Sequence, residues 1–377
     1  MSGIYLHIPF CKQACHYCDF HFSTQMGKKE AMIHALSREL ELRKEEFKDE
    51  VVRTIYFGGG TPSVLEVSEI DRLIGTVYAH YRVGEAPEIT LEANPDDLSK
   101  EKLMALSTSP INRLSIGIQS FFEEDLKLMN RAHSATEGIA CLTEATQFFD
   151  NISIDLIYGM PGMTQARWQQ NLEKALSFQI PHISSYALTV EPKTALEKLV
   201  SSGKIPAMDD TMAAMHYQQL LHTMETHGYV PYEFSNFGKP GYFSQNNTAY
   251  WLGKKYLGIG PSAHSFDGKQ RAWNIRNNVK YIKAIANEEL PMEAEILSER
   301  DRYNEYVMTG LRTKWGVSLD RIKEEFGQPY YVHILNEAEN HLKEGILHLE
   351  ENTLLVTKKG KFLSDGIASD LFMLNLE

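Results

Sequence analysis

Ile4-Tyr5-Leu6-His7-Ile8-Pro9-Phe10-Cys11-Lys12-Gln13-Ala14-Cys15-His16-Tyr17-Cys18 holds the residues that decide the fold. Ile4–Ile8 is a short apolar and aromatic run that stops at Pro9, as a strand does. It empties into a loop with three thiols, spaced Cys11-x-x-x-Cys15-x-x-Cys18. Five further runs of this kind follow: Val52–Phe57, Glu88–Glu92, Arg113–Ile118, Ile152–Tyr158 and Ile183–Leu188. Stretches of helical period separate them, at Met32–Phe47, Val67–Tyr81, Thr136–Phe148 and Ala166–Phe178. Strands alternating with helices predict an α/β fold on a parallel sheet, either an open sheet or a partly closed barrel.

Each run ends in a distinctive polar or glycine segment. The cysteine loop follows the first, Gly58-Gly59-Gly60-Thr61-Pro62 the second, Glu92-Ala93-Asn94-Pro95 the third and Gln119-Ser120 the fourth. Asp155 lies in the fifth run and Tyr186 near the end of the sixth. Ligands of parallel α/β folds bind at the carboxyl ends of the strands, so these segments predict one shared site.

The alternation fades after residue 205. A helix is expected over 208–227, and then Tyr229 to Phe266 is aromatic and glycine-rich without a clear period. From residue 296 helices return (Asp301–Arg312, Ser318–Phe326, Tyr331–Glu344), followed by short strands at Leu347–Glu350 and Leu354–Thr357 and a closing helix. This order divides the chain into a core over 1–205, an accessory segment over 206–295 packing on that core, and a winged-helix-like C-terminal module over 296–377. Such modules often bind DNA, but this one holds 10 Lys or Arg against 14 Asp or Glu, so an interaction or lid role is expected.

The whole chain of 377 residues carries a formal charge of -12, which argues against nucleic acid as a partner. No apolar run approaches the ~20 residues of a transmembrane helix, and the amino terminus has no basic, apolar leader. A cytoplasmic protein is expected. Three of the four cysteines lie within eight residues, which suits a metal centre better than disulfides. Three local thiolates suit an iron–sulfur cluster with one open iron, and zinc closed by His16 or His21 is the alternative. Cys141, in the apolar run Ile139–Leu142, is expected in the core.

The cysteine spacing resembles the CxxxCxxC motif of the radical S-adenosylmethionine (SAM) superfamily, whose fold is a full or partial (β/α) barrel. Gly58–Pro62 is similar to the segment that receives the amino group of SAM in that family. The resemblance implies a partial (β/α)6 barrel with Cys11, Cys15 and Cys18 holding a [4Fe-4S] cluster. Within the superfamily, Tyr5–Cys11 resembles the opening strand of the coproporphyrinogen dehydrogenase group, and Asn130-Arg131-Ala132-His133 its GRxH-like segment. That likeness implies SAM contacts at Tyr5, Tyr17, Gly59, Gly60, Thr61, Glu92, Gln119, Arg131, Asp155 and Ala187.

Two departures separate the chain from the dehydrogenases. They carry a further cysteine where this sequence has Phe20, and an extension ahead of the first strand. Both features resemble instead the HemW branch of haem chaperones, which implies haem as ligand, haem-accepting proteins as partners and an electron donor for the cluster. An oxygen-independent coproporphyrinogen oxidase, abstracting hydrogen from a propionate with a 5′-deoxyadenosyl radical, is the alternative. The HNxxYW haem motif of the branch is matched by Asn246-Asn247-Thr248-Ala249-Tyr250-Trp251, aligned by the following Leu257–His264 run. Asn246, Asn247, Tyr250, Trp251 and His264 are therefore the expected porphyrin contacts. A carboxamide is a poor axial ligand where the branch has histidine, so His264, His216, His222 and His227 are the candidate iron donors, and restoring His at 246 is expected to tighten haem binding.

Overall fold

The computed structural model describes residues 2–374. Six parallel strands form its centre in chain order: β1 (Ser2–Ile8), β2 (Val52–Gly59), β3 (Val83–Ala93), β4 (Arg113–Gln119), β5 (Ile152–Tyr158) and β6 (His182–Ala187). Each matches one of the expected runs, extended by a few residues at most ends. The sheet does not close on itself. β6 pairs antiparallel with β8 (Asn236–Gly238), which follows β7 (Val230–Pro231), while β1 pairs with β9 (Tyr256–Ile259). Beyond β9 lie β10 (His264–Phe266), β11 (Gln270–Asn274) and β12 (Met292–Ile296). The result is a partial barrel of six βα units with the accessory segment added to both edges.

Register explains how the barrel is lined. Tyr5 pairs with Tyr56, Tyr56 with Thr90, Glu92 with Ser115, Gly117 with Asp155 and Asp155 with Ser184. Paired residues share a face, so alternate positions form a polar stripe across the sheet. The intervening positions, such as Ile4, Leu6, Ile55, Phe57, Leu91, Leu114, Ile154 and Ile183, are buried under the helices. Those helices follow from local chemistry. Val67–His80 starts with a capping box between Glu66 and Glu69 and buries Ile70, Leu73, Ile74 and Val77, an i, i+3, i+4, i+7 stripe.

The stretch Tyr229–Phe266 is ordered, contrary to its aperiodic sequence. It holds β7, β8, the helix Gln245–Trp251, β9 and β10. These strands have two to four residues, too few to display a two-residue period. The C-terminal residues have a second core, from Tyr303 through Val307, Leu311 and Ile334 to Leu371. It packs the helices Glu299–Leu311 and Gln328–Lys343 against a small antiparallel sheet of β13 (Val317–Ser318), β14 (Leu347–Glu350) and β15 (Thr353–Val356). No described helix is long and apolar enough to cross a membrane.

Candidate cofactor site

The carboxyl ends of β1 to β6 surround one cavity of about 430 Å³. Of the expected contacts, Cys11, Cys15, Cys18, Tyr17, Gly59, Gly60, Thr61, Glu92, Gln119, Arg131, Asp155 and Ala187 all line it. Tyr5 does not. It lies one layer down the stripe, beneath Gly58, where an added Cβ would stand 2.8 Å from its ring.

The cysteine loop is stitched to the second strand end. The amide of Gly60 donates to the Ile8 carbonyl at 2.9 Å and that of Thr61 to the Phe10 carbonyl at 2.7 Å. A side chain at 60 would meet those same carbonyls at 2.8 and 2.6 Å, so glycine is required by the approach of the cysteine loop. Gly59 donates to Glu92 at 3.3 Å. The amides of this segment are thus used inside the protein and are not free donors toward a ligand. Lys12 anchors the loop from the other side through an ion pair with the buried carboxylate of Asp97.

Two thiols have polar neighbours. The Thr61 hydroxyl donates to Cys11 Sγ at 3.3 Å, and Arg131 Nη1 to Cys15 Sγ at 3.4 Å. Burial pushes the Cys11 thiol up to about 12 and the Cys18 thiol up to about 11. Such thiols ionise only with a strong Lewis acid at hand, which an iron cluster provides. Among the described residues no three His, Cys, Asp or Glu side chains are gathered closely enough to share one metal ion. All three thiols line the same cavity.

The remaining wall is polar. Burial raises Glu92 to about 7 and Asp155 to about 6, with Glu92 further raised by Asp155. Tyr56 donates to Glu92 at 2.8 Å. Arg131 Nη2 donates to Asn94 at 2.7 Å and to the Gly117 carbonyl at 2.8 Å, whereas its buried Nε has no partner. Two buried carboxyls whose ionised form a neighbouring cation would favour, and a guanidinium with an unmet donor, are suited to a ligand bearing both a cation and a carboxylate. Asn94, Ser115 and Gly117 also line the cavity, and so does Tyr186. Ser115 and Gly117 were not singled out from sequence, although the two-residue alternation of β4 puts both on the face of Glu92 and Asp155.

The expected porphyrin contacts are only partly brought together. Asn247, Tyr250 and Trp251 line a second cavity of about 360 Å³, with Tyr186 as the wall shared with the cofactor cavity. Asn246 is not there. It is 3% exposed, faces β1 and β2, and its Oδ1 accepts from the Thr54 hydroxyl at 3.1 Å. Asn246 stands one turn before Tyr250, with which it hydrogen-bonds, but at the edge of the helix against β1 and β2, where Thr54 takes up its carboxamide and keeps it out of the cavity wall. His264 lies on β10 beside Trp273, outside that cavity. His216 is fully buried and accepts from the Gly159 amide at 3.2 Å, while His222 and His227 are exposed on and after the helix Asp210–Thr226. None of these histidines lines the second cavity.

A partial barrel with three thiols after its first strand, facing a glycine segment across one cavity, is the arrangement of a radical SAM protein, and residues 5–175 match the model of the radical SAM superfamily. Residues 297–363 match the HemN C-terminal domain. The heme chaperone HemW of Bacillus subtilis (strain 168) is 33% identical over 97% of this chain and 98% of its own length. Heme chaperone HemW of Mycobacterium tuberculosis (strain ATCC 25618 / H37Rv) is 32% identical over 98% of this chain and 94% of its own length. The chain belongs to the HemW family. Among solved structures, coproporphyrinogen III oxidase (HemN) from Escherichia coli matches with a TM-score of 0.86 at 23% identity, covering 99% of this chain and 90% of that one, a likeness of fold. Membership of the radical SAM superfamily implies a [4Fe-4S] cluster and SAM, and the donors around the first cavity fit both.

Proposed function

We propose that this protein is a haem chaperone, binding haem in the second cavity and passing it to acceptor proteins. The observation that carries the reading is that Asn247, Tyr250 and Trp251, the aligned part of the haem motif, line one cavity behind Tyr186. Aromatic faces there suit a porphyrin plane. The iron would take no ligand from residue 246. Haem would be held by its plane and substituents, with any axial donor supplied by solvent or by the acceptor.

In the first cavity, Cys11, Cys15 and Cys18 hold the cluster. Arg131 takes the SAM carboxylate with its unpartnered Nε, and the Gly59–Thr61 segment, its amides already used, offers carbonyl oxygens to the amino group. Glu92, Gln119 and Asp155 accept from the remaining polar groups of SAM, and Tyr17 and Ala187 close the wall. When bound, the cluster and SAM supply one-electron chemistry, for which an electron-donor protein is a partner.

The test uses anaerobically reconstituted protein with reductant and SAM, incubated separately with haem and with coproporphyrinogen III. Stable haem binding that Trp251→Ala weakens, followed by transfer to an apo-haemoprotein, is the expected result. Porphyrinogen-dependent formation of 5′-deoxyadenosine and vinyl groups would overturn it in favour of an oxidase.

A further inference from the structure

Tyr250 and Thr309 each line two cavities. On one side is the candidate haem cavity, and on the other is a smaller one of about 170 Å³ between the accessory strands and the C-terminal module. The smaller cavity is below the ~300 Å³ of ordinary ligand sites, so by itself it is an annex of its neighbour. Its lining is unusual in charge. Three guanidinium groups, Arg271, Arg302 and Arg321, face two carboxylates, Glu305 and Glu325. Arg271 is paired with Glu305 and with Glu295 at 3.4 Å. Arg321 Nε donates to Glu325 at 2.9 Å while its guanidinium lies 4.2 Å from the centre of the Tyr306 ring. Arg302 differs from both. It is half-buried, and among the described residues its side chain makes no hydrogen bond or ion pair, only a cation–π contact with Phe326 at 5.9 Å.

The helix Glu299–Leu311 places Arg302 and Thr309 two turns apart, so one end of its exposed face is at the haem cavity and the other is at the unpaired guanidinium. A cleft with excess positive charge, aromatic walls at Tyr256 and Phe326 and an arginine without an acceptor matches a carboxylate carried on a planar apolar body.

We infer that Arg302, beside the Arg321 guanidinium, is a subsite for the propionate carboxylates of a porphyrin lying across Tyr250. This rests on the haem reading above. It makes the carboxylates, instead of an iron–histidine bond, the feature by which this chain orients its ligand.

The test compares haem with haem dimethyl ester, whose propionates carry no charge, in spectroscopic titrations of the full, cluster-loaded protein. Wild type is expected to prefer haem. Arg302→Gln is expected to weaken haem by about tenfold or more, the effect of a lost charged hydrogen bond, and to leave the ester unchanged. Far-UV circular dichroism and the cluster absorbance of the variant are matched to wild type before titration, so a loss shared by both ligands is not a folding defect. Equal weakening of the two, or no change in either, overturns the propionate subsite. Trp251→Ala separates the two levels. If it weakens both ligands while Arg302→Gln keeps the preference, only the subsite falls; if it weakens neither, the haem reading falls with it.

Discussion

Glu92 is the carboxyl whose ionisation the fold opposes most plainly within the cofactor cavity. Burial, then Tyr56, Asp155 and the Gly59 amide, set its protonation, and the outcome is a rise from 4.5 to about 7. Between those values the native state keeps a proton that the unfolded chain has released, so stability falls as pH rises through that window and levels off above it. At ~1.4 kcal/mol for each tenfold, the ionised form costs roughly 3 kcal/mol at pH 8 and about 1 kcal/mol at pH 5.5. Glu92→Gln removes the charge and keeps an acceptor for Tyr56. The variant should therefore be more stable than wild type by up to about 3 kcal/mol at pH 8, with the gap shrinking to about 1 kcal/mol at pH 5.5. Anaerobic urea unfolding of cluster-loaded protein without SAM measures both. SAM, a cation, should restore wild-type stability at high pH and do little for the variant. A variant less stable than wild type at pH 8, or an equal gap at both pH values, would refute the reasoning.

Three other outcomes are expected. Arg43→Met strands Glu39, fully buried on the helix Lys29–Leu42, and should cost about 3–5 kcal/mol in urea unfolding, because one member of a buried ion pair is left uncompensated. Asp97→Asn removes the charge that anchors Lys12 and the cysteine loop, so the cluster should be lost several-fold faster in air, followed by its visible absorbance. Asn246→His inserts a larger ring into a packed place beside Thr54, so it should destabilise by about 1–3 kcal/mol and leave the haem spectrum and affinity as they are, the opposite of what the motif alone leads one to expect.

The legible parts of the fold were those with enough residues to show a period. The six core strands and the helix Val67–His80 are six to fourteen residues long and carry their pattern openly. The short accessory strands do not. Arg43 and Glu39 illustrate a second limit. Spaced i, i+4 on a helix, they resemble a solvated surface pair. In the structure Arg43 donates to the Gly258 carbonyl at 2.8 Å, while Glu39 accepts from the Gly260 amide at 2.8 Å and from Asn274 at 2.7 Å, so both are consumed in joining the helix to β9 and β11. Partners more than two hundred residues away leave no local trace. Most of the cofactor cavity was foreseeable because strand ends converge in any parallel α/β fold. The fate of Asn246 was not, since the hydroxyl that takes up its carboxamide belongs to Thr54, 192 residues away in the chain.

The same polar stripe that forms the cofactor wall also sets the second cavity. Near its upper end stand Glu92 and Asp155; lower down stand Glu88 and His182. Glu88 accepts from the amides of Gln245 at 3.0 Å and Asn246 at 3.1 Å, so a carboxylate inside the barrel caps the helix that carries Tyr250 and Trp251. His182 donates or accepts at 2.7 Å with the Tyr232 hydroxyl, and Ser184 donates at 2.7 Å to Asn236, beside the Glu233 that lines the same cavity. The aromatic wall is therefore held from within the barrel by residues on the same strands as the cofactor contacts, a few positions toward their amino ends. Two sites built on one rigid stripe, with Tyr186 between them, keep a fixed separation whether or not either is filled. With asparagine at 246, the capping carboxylate of Glu88 and the hydrogen bond from Thr54 hold that helix, and with it the aromatic wall, in place.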